Sequence, residues 1–292
     1  MSNTIKKNDL LESLKSLASK SDAEWTESLP QRKLAELKFH DRARTRKGSG
    51  DSGVVGEVQP ASNAIFYSTA GKSQGYATDW IENNSPGKIF LDYACGDGGN
   101  AILAARSGAD LSVGIDLSRV SVDNARRIAG SVGVAGNTVF VQGDCENTGL
   151  PDSSFDVAVC SGMLHHLDLD KALPELARII KPGGVCLCVE ALAYNPFIQL
   201  YRILTPHLRT DWEKGHILKL SDLRRAGKYF EVREVRYWHI ASVLVSPLKR
   251  SRYFNPLLSA ANWIDSFLTR IWPIRMMAWV FTFVLRKGPV KA

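Results

Sequence analysis

The chain reads as an α/β protein on a doubly wound, seven-stranded sheet with mostly parallel strands, an N-terminal helical cap and a helical insertion before the last strand. Three observations predict this. Between residues 88 and 190, short apolar runs at 89–94, 111–115, 138–141, 155–160 and 185–189 alternate with helical stretches, as parallel strands joined by crossover helices do. The runs are almost continuously apolar, which suits strands covered on both faces. Two further runs complete the count: 230–238 alternates with period two, as a half-exposed strand does, and 278–285 is β-branched and aromatic-rich.

Taken in chain order, residues 8–19 place Leu10, Leu11, Leu14, Leu17 and Ala18 on one helical face, with Asn8 or Asp9 able to cap the first turn. A second helix is expected over 21–39. From Asp41 to Gly53 the sequence becomes polar, glycine-rich and aperiodic, which predicts a mobile loop with its cluster Arg42, Arg44, Arg46 and Lys47 in solvent. The first strand leads through a glycine-rich turn into a helix at 101–107. Beyond Glu190 come a helix over 195–208, a short amphipathic helix at 221–228, the strand at 230–238, a helical insertion over 241–275 and the final strand. The expected organisation is a helical extension and basic loop over 1–60, the sheet core with its cover over 61–240, and the insertion with the last strand over 241–292.

With 292 residues, 45% apolar and 23% charged, the composition excludes disordered, collagen-like and miniature disulfide-stapled classes. The formal charge of +7 is uneven: residues 1–50 carry +4, 51–200 carry −8 and 201–292 carry +11. Five cysteines, Cys95, Cys145, Cys160, Cys186 and Cys188, form no CxxC pair, and no histidine stands at zinc-ligand spacing; no disulfide or metal framework is expected. Cys186 and Cys188 share one strand face, which suits packing. The N-terminal stretch has lysines but no apolar core of a signal sequence, so a reducing cytoplasm is expected. In the most apolar region, 253–285, the longest uncharged run is 12 residues, short of the ~20 that span a bilayer.

The first strand ends in Phe90-Leu-Asp-Tyr-Ala-Cys-Gly-Asp-Gly-Gly-Asn-Ala101. Gly96, Gly98 and Ala101 satisfy the G-x-G-x-x-G/A spacing of a dinucleotide turn, so a nicotinamide-dependent oxidoreductase is one reading. Charge argues against it. Asp92 precedes the turn and Asp97 lies within it, where a pyrophosphate would meet the helix N-terminus. At ~5 Å and an effective dielectric of about 20, each repulsion costs about 3 kcal/mol. A ligand carrying a sulfonium and an amino group would be attracted instead.

On these residues the chain resembles the class I S-adenosylmethionine-dependent methyltransferases, over 88–189 and more loosely in the final strands. LDYACGDG (91–98) is similar to the family's first motif, with Ala94 where its first glycine is usual. GIDLS (114–118) follows at the end of the second strand, GDCENTGLPDSSFDVAVCSGMLHHL (143–167) covers the third and fourth, and Lys181-Pro-Gly-Gly184 resembles the turn before the fifth. The resemblance implies a Rossmann-like fold, S-adenosyl-L-methionine as cofactor, and a cofactor-binding set of Asp92, Ala94, Gly96, Gly98, Asp116, Leu117, Asp144, Cys145 and Cys160. In that set Asp116 would hold the ribose hydroxyls, as a carboxylate's two oxygens suit a vicinal diol. Asp144 would accept from the adenine amino group, with the Cys145 backbone beside the ring. Asp156 reads as structural.

Methyl transfer from a sulfonium needs alignment, exclusion of water and, for some acceptors, a base. His165, after the fourth strand, and Glu190, ending the fifth, stand at the carboxyl edge of the sheet, where open α/β sheets bind ligands; they are the candidate catalytic residues. His165 and His166 are adjacent and cannot both face one pocket. Tyr67, Tyr194, His207, Arg209, Trp212 and His216 are candidates for the acceptor site, and each also suits packing or surface. Asn195-Pro-Phe197 follows the fifth strand and lacks a Pro–Pro pair, which disfavours a nucleic-acid acceptor. A small, partly hydrophobic or lipid-linked acceptor is expected, methylated on oxygen in preference to carbon or nitrogen. The basic C-terminal third would steer an anionic acceptor. The aromatic and basic residues of 241–275 suit either packing on the sheet or peripheral contact with an anionic membrane at its inner face. A non-catalytic nucleotide-sensing or membrane scaffold is a third reading.

Overall fold

The structure is a computed structural model and describes residues 2–45 and 64–289. Its strands are β1 (Ile89–Tyr93), β2 (Leu111–Asp116), β3 (Thr138–Gln142), β4 (Phe155–Ser161), β5 (Ile180–Ala191), β6 (Glu231–Trp238) and β7 (Val280–Arg286). They form one sheet in the order β3-β2-β1-β4-β5-β7-β6. β1 to β5 pair in parallel, while β7 runs antiparallel between β5 and β6. The winding direction reverses between β1 and β4, which opens a crevice beyond the carboxyl ends of these strands.

Twelve α-helices accompany the sheet among the described residues. α1 (Ser2–Ala18), α2 (Asp22–Ser28) and α3 (Gln31–Thr45) form the N-terminal cap, and α4 (Ala64–Tyr67) and α5 (Gly71–Asn84) lead to β1. α6 (Gly99–Arg106), α7 (Arg119–Ser131) and α8 (Leu169–Ile179) are crossovers. α9 (Pro196–Leu204), α10 (Asp211–Gly215) and α11 (Leu220–Ala226) lie between β5 and β6, and α12 (Phe254–Leu268) lies between β6 and β7.

The strand period divides the core. Leu91 and Tyr93 face one side with Val113 and Ile115, in a cluster that includes Leu10 and Leu14 of α1 and Leu173 and Leu176 of α8. Phe90 faces the other side with Val157 and Val159, packed with Ile81 of α5 and Ala104 of α6. Both faces are covered, which explains the uninterrupted apolar runs of the central strands.

Where the sequence led elsewhere, a local cause is visible. The helix expected over 21–39 is two helices, because Pro30 separates them and its ring cannot donate a backbone bond to the preceding turn. α3 then continues to Thr45, into the segment expected to be a loop, and Ser118 Oγ donates a hydrogen bond to Asp41 on it. The rest of that segment, from Arg46, lies outside the described residues. Lys181–Gly184 is not a separate turn before β5. It is an irregularity inside the strand: Phe155 pairs with Ile180 but Val157 with Val185, and Gly183 has φ +80°.

Gly98 caps α6 at φ +80°, and a Cβ there would sit 2.6 Å from Phe140 Cε1 and 2.8 Å from Ala125 Cβ. Gly98→Ala is therefore expected to destabilise the chain by about 2–4 kcal/mol, combining left-handed strain with overpacking against a ring. The midpoint of urea unfolding measures it.

Candidate active site

The carboxyl ends of β1, β2 and β3 meet at the glycine-rich turn. Ala94, Gly96 and Gly98 all adopt positive φ, at 63°, 52° and 80°. At the first of these, alanine takes a conformation that glycine occupies at lower cost. Asp92 is buried beneath the turn, where its carboxylate accepts from Ala101 N at 3.1 Å and Asn100 Nδ2 at 3.3 Å. It thus occupies part of the α6 N-terminus that would hold a pyrophosphate.

Asp116 ends β2. Its Oδ2 accepts from Gly96 N at 2.8 Å and its Oδ1 from Ser118 N at 2.9 Å, so the carboxylate both orients and is oriented by the turn. Beyond β3, Asp144 accepts from Glu146 N at 2.9 Å. The Cys145 thiol is fully buried, and burial pushes its pKa well up, so it stays a neutral wall. A cavity of about 50 Å³ runs along these groups, with Ala94, Asp116, Leu117, Asp144 and Cys145 on its walls. Gly96 and Gly98 shape the turn above it. Cys160 is wholly enclosed in the core cluster.

The other wall is α3, which the sequence reading did not place there. Lys33 pairs with Asp144 and, at 2.8 Å, with Glu146; Arg32 also pairs with Glu146. Glu36, Leu37 and His40 complete that wall. The residues 33, 36, 37 and 40 recur at helical spacing, a stripe that was available as a signal. With α3 seated, the cavity has room for only a few waters.

His165 and His166 point to different partners. His165 Nδ1 donates to Glu190 Oε2 at 2.8 Å, leaving Nε2 as the site that can take a proton. Glu190 Oε1 accepts from Met163 N at 2.9 Å and Leu164 N at 2.7 Å, so one buried carboxylate fixes both the backbone after β4 and the imidazole. Burial opposes charge on His165, but the hydrogen bond and negative charge of Glu190 outweigh it and raise the pKa above its usual value. The two candidate catalytic residues are thus brought together from 25 residues apart.

His166 turns to α3, where its Nδ1 lies 2.9 Å from Glu36 Oε2; His40 Nε2 lies 3.6 Å from that same oxygen. Thr210 Oγ1 donates to the other oxygen of Glu36. Among the described residues, Glu36, His40 and His166 are the one group whose donor atoms, within 4.8 Å of one another, suit a metal ion. Burial pushes His166 down to about 3, and burial likewise pushes His239 down to about 4 between Ser73 and Ser242. Both are neutral when folded and bind protons on unfolding. Stability is therefore retained above the unfolded value near 6.5 and lost as pH falls toward these lower values. The expected slope is about 1.4 kcal/mol per pH unit for each group. Urea unfolding at about pH 7 and about pH 5 checks the loss.

Several acceptor-site candidates engage in packing. Trp212 and His216 stack at 3.7 Å, and Tyr67 meets Trp279 edge-on at 5.4 Å. Tyr194 Oη accepts from Leu220 N, and Arg209 is buried 3.6 Å from Glu213. His207 is exposed. Asn195 caps α9 through Phe197 N and Ile198 N, a structural use of the Asn-Pro-Phe sequence. Asp156 accepts from Ile89 N and Lys181 Nζ, also structural. All five cysteines are free and buried, with Cys186 and Cys188 sulfurs 3.9 Å apart.

Residues 91–188 match the family described as a methyltransferase domain. Over 152 residues the chain is 28% identical to the O-methyltransferase resE of Aspergillus sclerotiorum, covering 49% of this chain and 57% of that protein. Over 116 residues it is 36% identical to the ubiquinone/menaquinone biosynthesis C-methyltransferase UbiE of Vibrio campbellii, covering 39% and 40%. The chain thus spans roughly half the length of these curated relatives. The magnesium protoporphyrin IX methyltransferase of Synechocystis PCC 6803, solved with bound SAH, superposes with a TM-score of 0.57 at 16% identity, over 88% of this chain and 100% of that one. That likeness is one of fold.

Proposed function

We propose that the chain, whose residues 91–188 match a methyltransferase domain, is a class I S-adenosylmethionine-dependent methyltransferase that methylates a small, partly hydrophobic or lipid-linked metabolite, on oxygen in preference to carbon or nitrogen. The observation that carries this reading is the set of carboxylates around the glycine-rich turn. Asp116 and Asp144 line the cavity, while Asp92 accepts from Ala101 N in the first turn of the adjoining helix.

These groups fit S-adenosylmethionine, which supplies an electrophilic methyl group when bound. Asp116 would hold the ribose hydroxyls; Asp144 and the Cys145 backbone would hold the adenine. The site suits a ligand with no phosphate at the α6 N-terminus. Lys33 and Arg32 tie α3 across the same cavity, so entry requires α3 to move and its return excludes water from the site. His165 then takes the proton from an acceptor hydroxyl at Nε2, held in place by Glu190. A base of this kind, with the similarity to an O-methyltransferase, favours an oxygen acceptor.

Calorimetry with S-adenosylmethionine and with NAD tests the donor assignment: binding of the first and not the second is expected. Incubating the full chain with labelled donor and fractionated metabolite and lipid extracts tests turnover. The expected product gains one methyl group and partitions into an apolar phase. Saturable donor binding without any labelled product would replace this reading by a nucleotide-sensing scaffold.

A further inference from the structure

We propose that the outward faces of α9 and α12 form a docking surface for an anionic lipid bilayer, placed beside the active-site edge. This concerns a partner of the chain and goes beyond methyl transfer.

α12 is built to pack on one side only. Phe254, Leu258, Ala261, Asp265 and Leu268 recur at helical spacing on its inner side, where buried Asp265 accepts from Ala241 N at 2.6 Å and from Ser242 N at 3.1 Å. An ordinary surface helix would turn charges outward. This one turns out Leu257, Trp263, Ile264 and Phe267, and Asp265 is its only charged residue. Trp263 is 67% exposed, and Trp272, shortly after the helix, is 68% exposed.

α9 repeats the pattern. Ile198 is buried, Phe197 and Leu200 are more than half exposed, and Ile203 and Leu204 reach 72% and 69%. Asn195 Nδ2 donates to Met277 O at 2.7 Å, tying the start of α9 to the segment that follows α12. Isolated exposed leucines are ordinary, but two helices with apolar outward faces are not.

Position links this surface to the site. α9 follows the carboxyl end of β5, and the α12 segment connects the carboxyl end of β6 to the start of β7, where Ala191 pairs with Val280 and Trp238 with Val280 on the other side. Both helices therefore leave the sheet at the edge where Glu190 holds His165. Arg202 on α9 pairs with Glu213, and both groups act electrostatically on His165.

Charge identifies the occupant. Lys249, Arg250 and Arg252 precede α12 and Arg270 follows it, all exposed, in a C-terminal third of net charge +11. Apolar aromatic faces rimmed by cations match an anionic bilayer, with the rings among acyl chains and the cations at the headgroups. A second copy meeting the same face would oppose these cations to themselves. A nucleic acid would require cations within the face, but α12 carries no Lys or Arg and the one cation of α9, Arg202, is largely buried against Glu213. The arrangement would deliver a lipid-soluble acceptor to the site, a consequence that rests on the proposed activity; the docking itself does not.

The test is co-sedimentation of the full chain with vesicles of phosphatidylglycerol and phosphatidylcholine, and with phosphatidylcholine alone, at low and high salt. Binding to the anionic vesicles is expected, weakened by high salt and lost without anionic lipid. The double variants Trp263→Ser/Trp272→Ser and Ile203→Ser/Leu204→Ser alter exposed positions. Each should retain the wild-type thermal transition and donor affinity while vesicle binding falls on the order of tenfold. Absence of binding to anionic vesicles, unchanged binding by both variants, or a wild-type dimer dispersed by them would overturn the proposal. Donor calorimetry is read separately, so failure of docking and failure of the methyltransferase reading are distinguishable.

Discussion

His165→Ala is expected to lower turnover by roughly two to four orders of magnitude, the usual contribution of a positioned base, while donor affinity stays close to wild type. The two effects separate because His165 lies off the wall of the cavity proposed for the donor, which His166 lines instead. In the proposed mechanism Glu190 is the positioning residue of the pair. Its other oxygen holds Met163 N and Leu164 N, so alanine there would release the backbone after β4 along with the imidazole. Glu190→Gln is the informative change, since an amide oxygen can still accept from those donors while the negative charge is removed.

The sign of the pH effect follows. A base acts when deprotonated, and Glu190 raises the pKa of His165 above 6.5 against the opposing effect of burial. The activity limb should therefore rise with pH above 6.5 in the wild type and move to lower pH in Glu190→Gln. In stability the same pair contributes fully below the unfolded pKa, and its contribution is lost as pH rises through the raised folded value. This is the reverse of His166. Two adjacent histidines thus place opposite pH dependences on one segment, one through β5 and the other through α3. Turnover that survives His165→Ala across the whole pH range would exclude it as the base.

What could be read from sequence divides along a physical line. The strands were legible because burial on both faces demands apolar runs, and a polar residue at the end of such a run is conspicuous. Asp116, Asp144 and Glu190 stand out as candidates in that way. His165 was placed near Glu190 only as a neighbour on the same edge; their hydrogen bond depends on the turn that Glu190 itself shapes. The α3 wall was not legible as a wall, because Lys33 and Asp144 are 111 residues apart and nothing local specifies their pairing. Cys160 is a different case. Motif position puts it near the strand end, but the two-residue period turns its side chain into the core cluster. The apolar residues of 241–275 were visible in composition, while the division of α12 into a packed side and an exposed side required its contacts.

Asp116→Ala should weaken donor binding by roughly 1.5–3 kcal/mol, the value of hydrogen bonds to a charged acceptor, or about 10- to 150-fold in Kd. It also removes the acceptor for Gly96 N and Ser118 N, so lower stability is expected alongside weaker binding, and alanine alone would confuse a contact with a loosened turn. Asp116→Asn separates them. It is isosteric and keeps one carbonyl acceptor, but it puts amide donors where the second oxygen accepted and removes the charge. If Asp116 contacts the ribose, the asparagine variant should recover much of the stability lost in the alanine variant and little of the donor affinity, because a vicinal diol needs two acceptors side by side. If Asp116 only shapes the turn, stability and affinity should recover in parallel. Calorimetry paired with urea unfolding on both variants distinguishes these outcomes, and parallel recovery, or an unchanged Kd in the alanine variant, would remove Asp116 from direct contact with the donor.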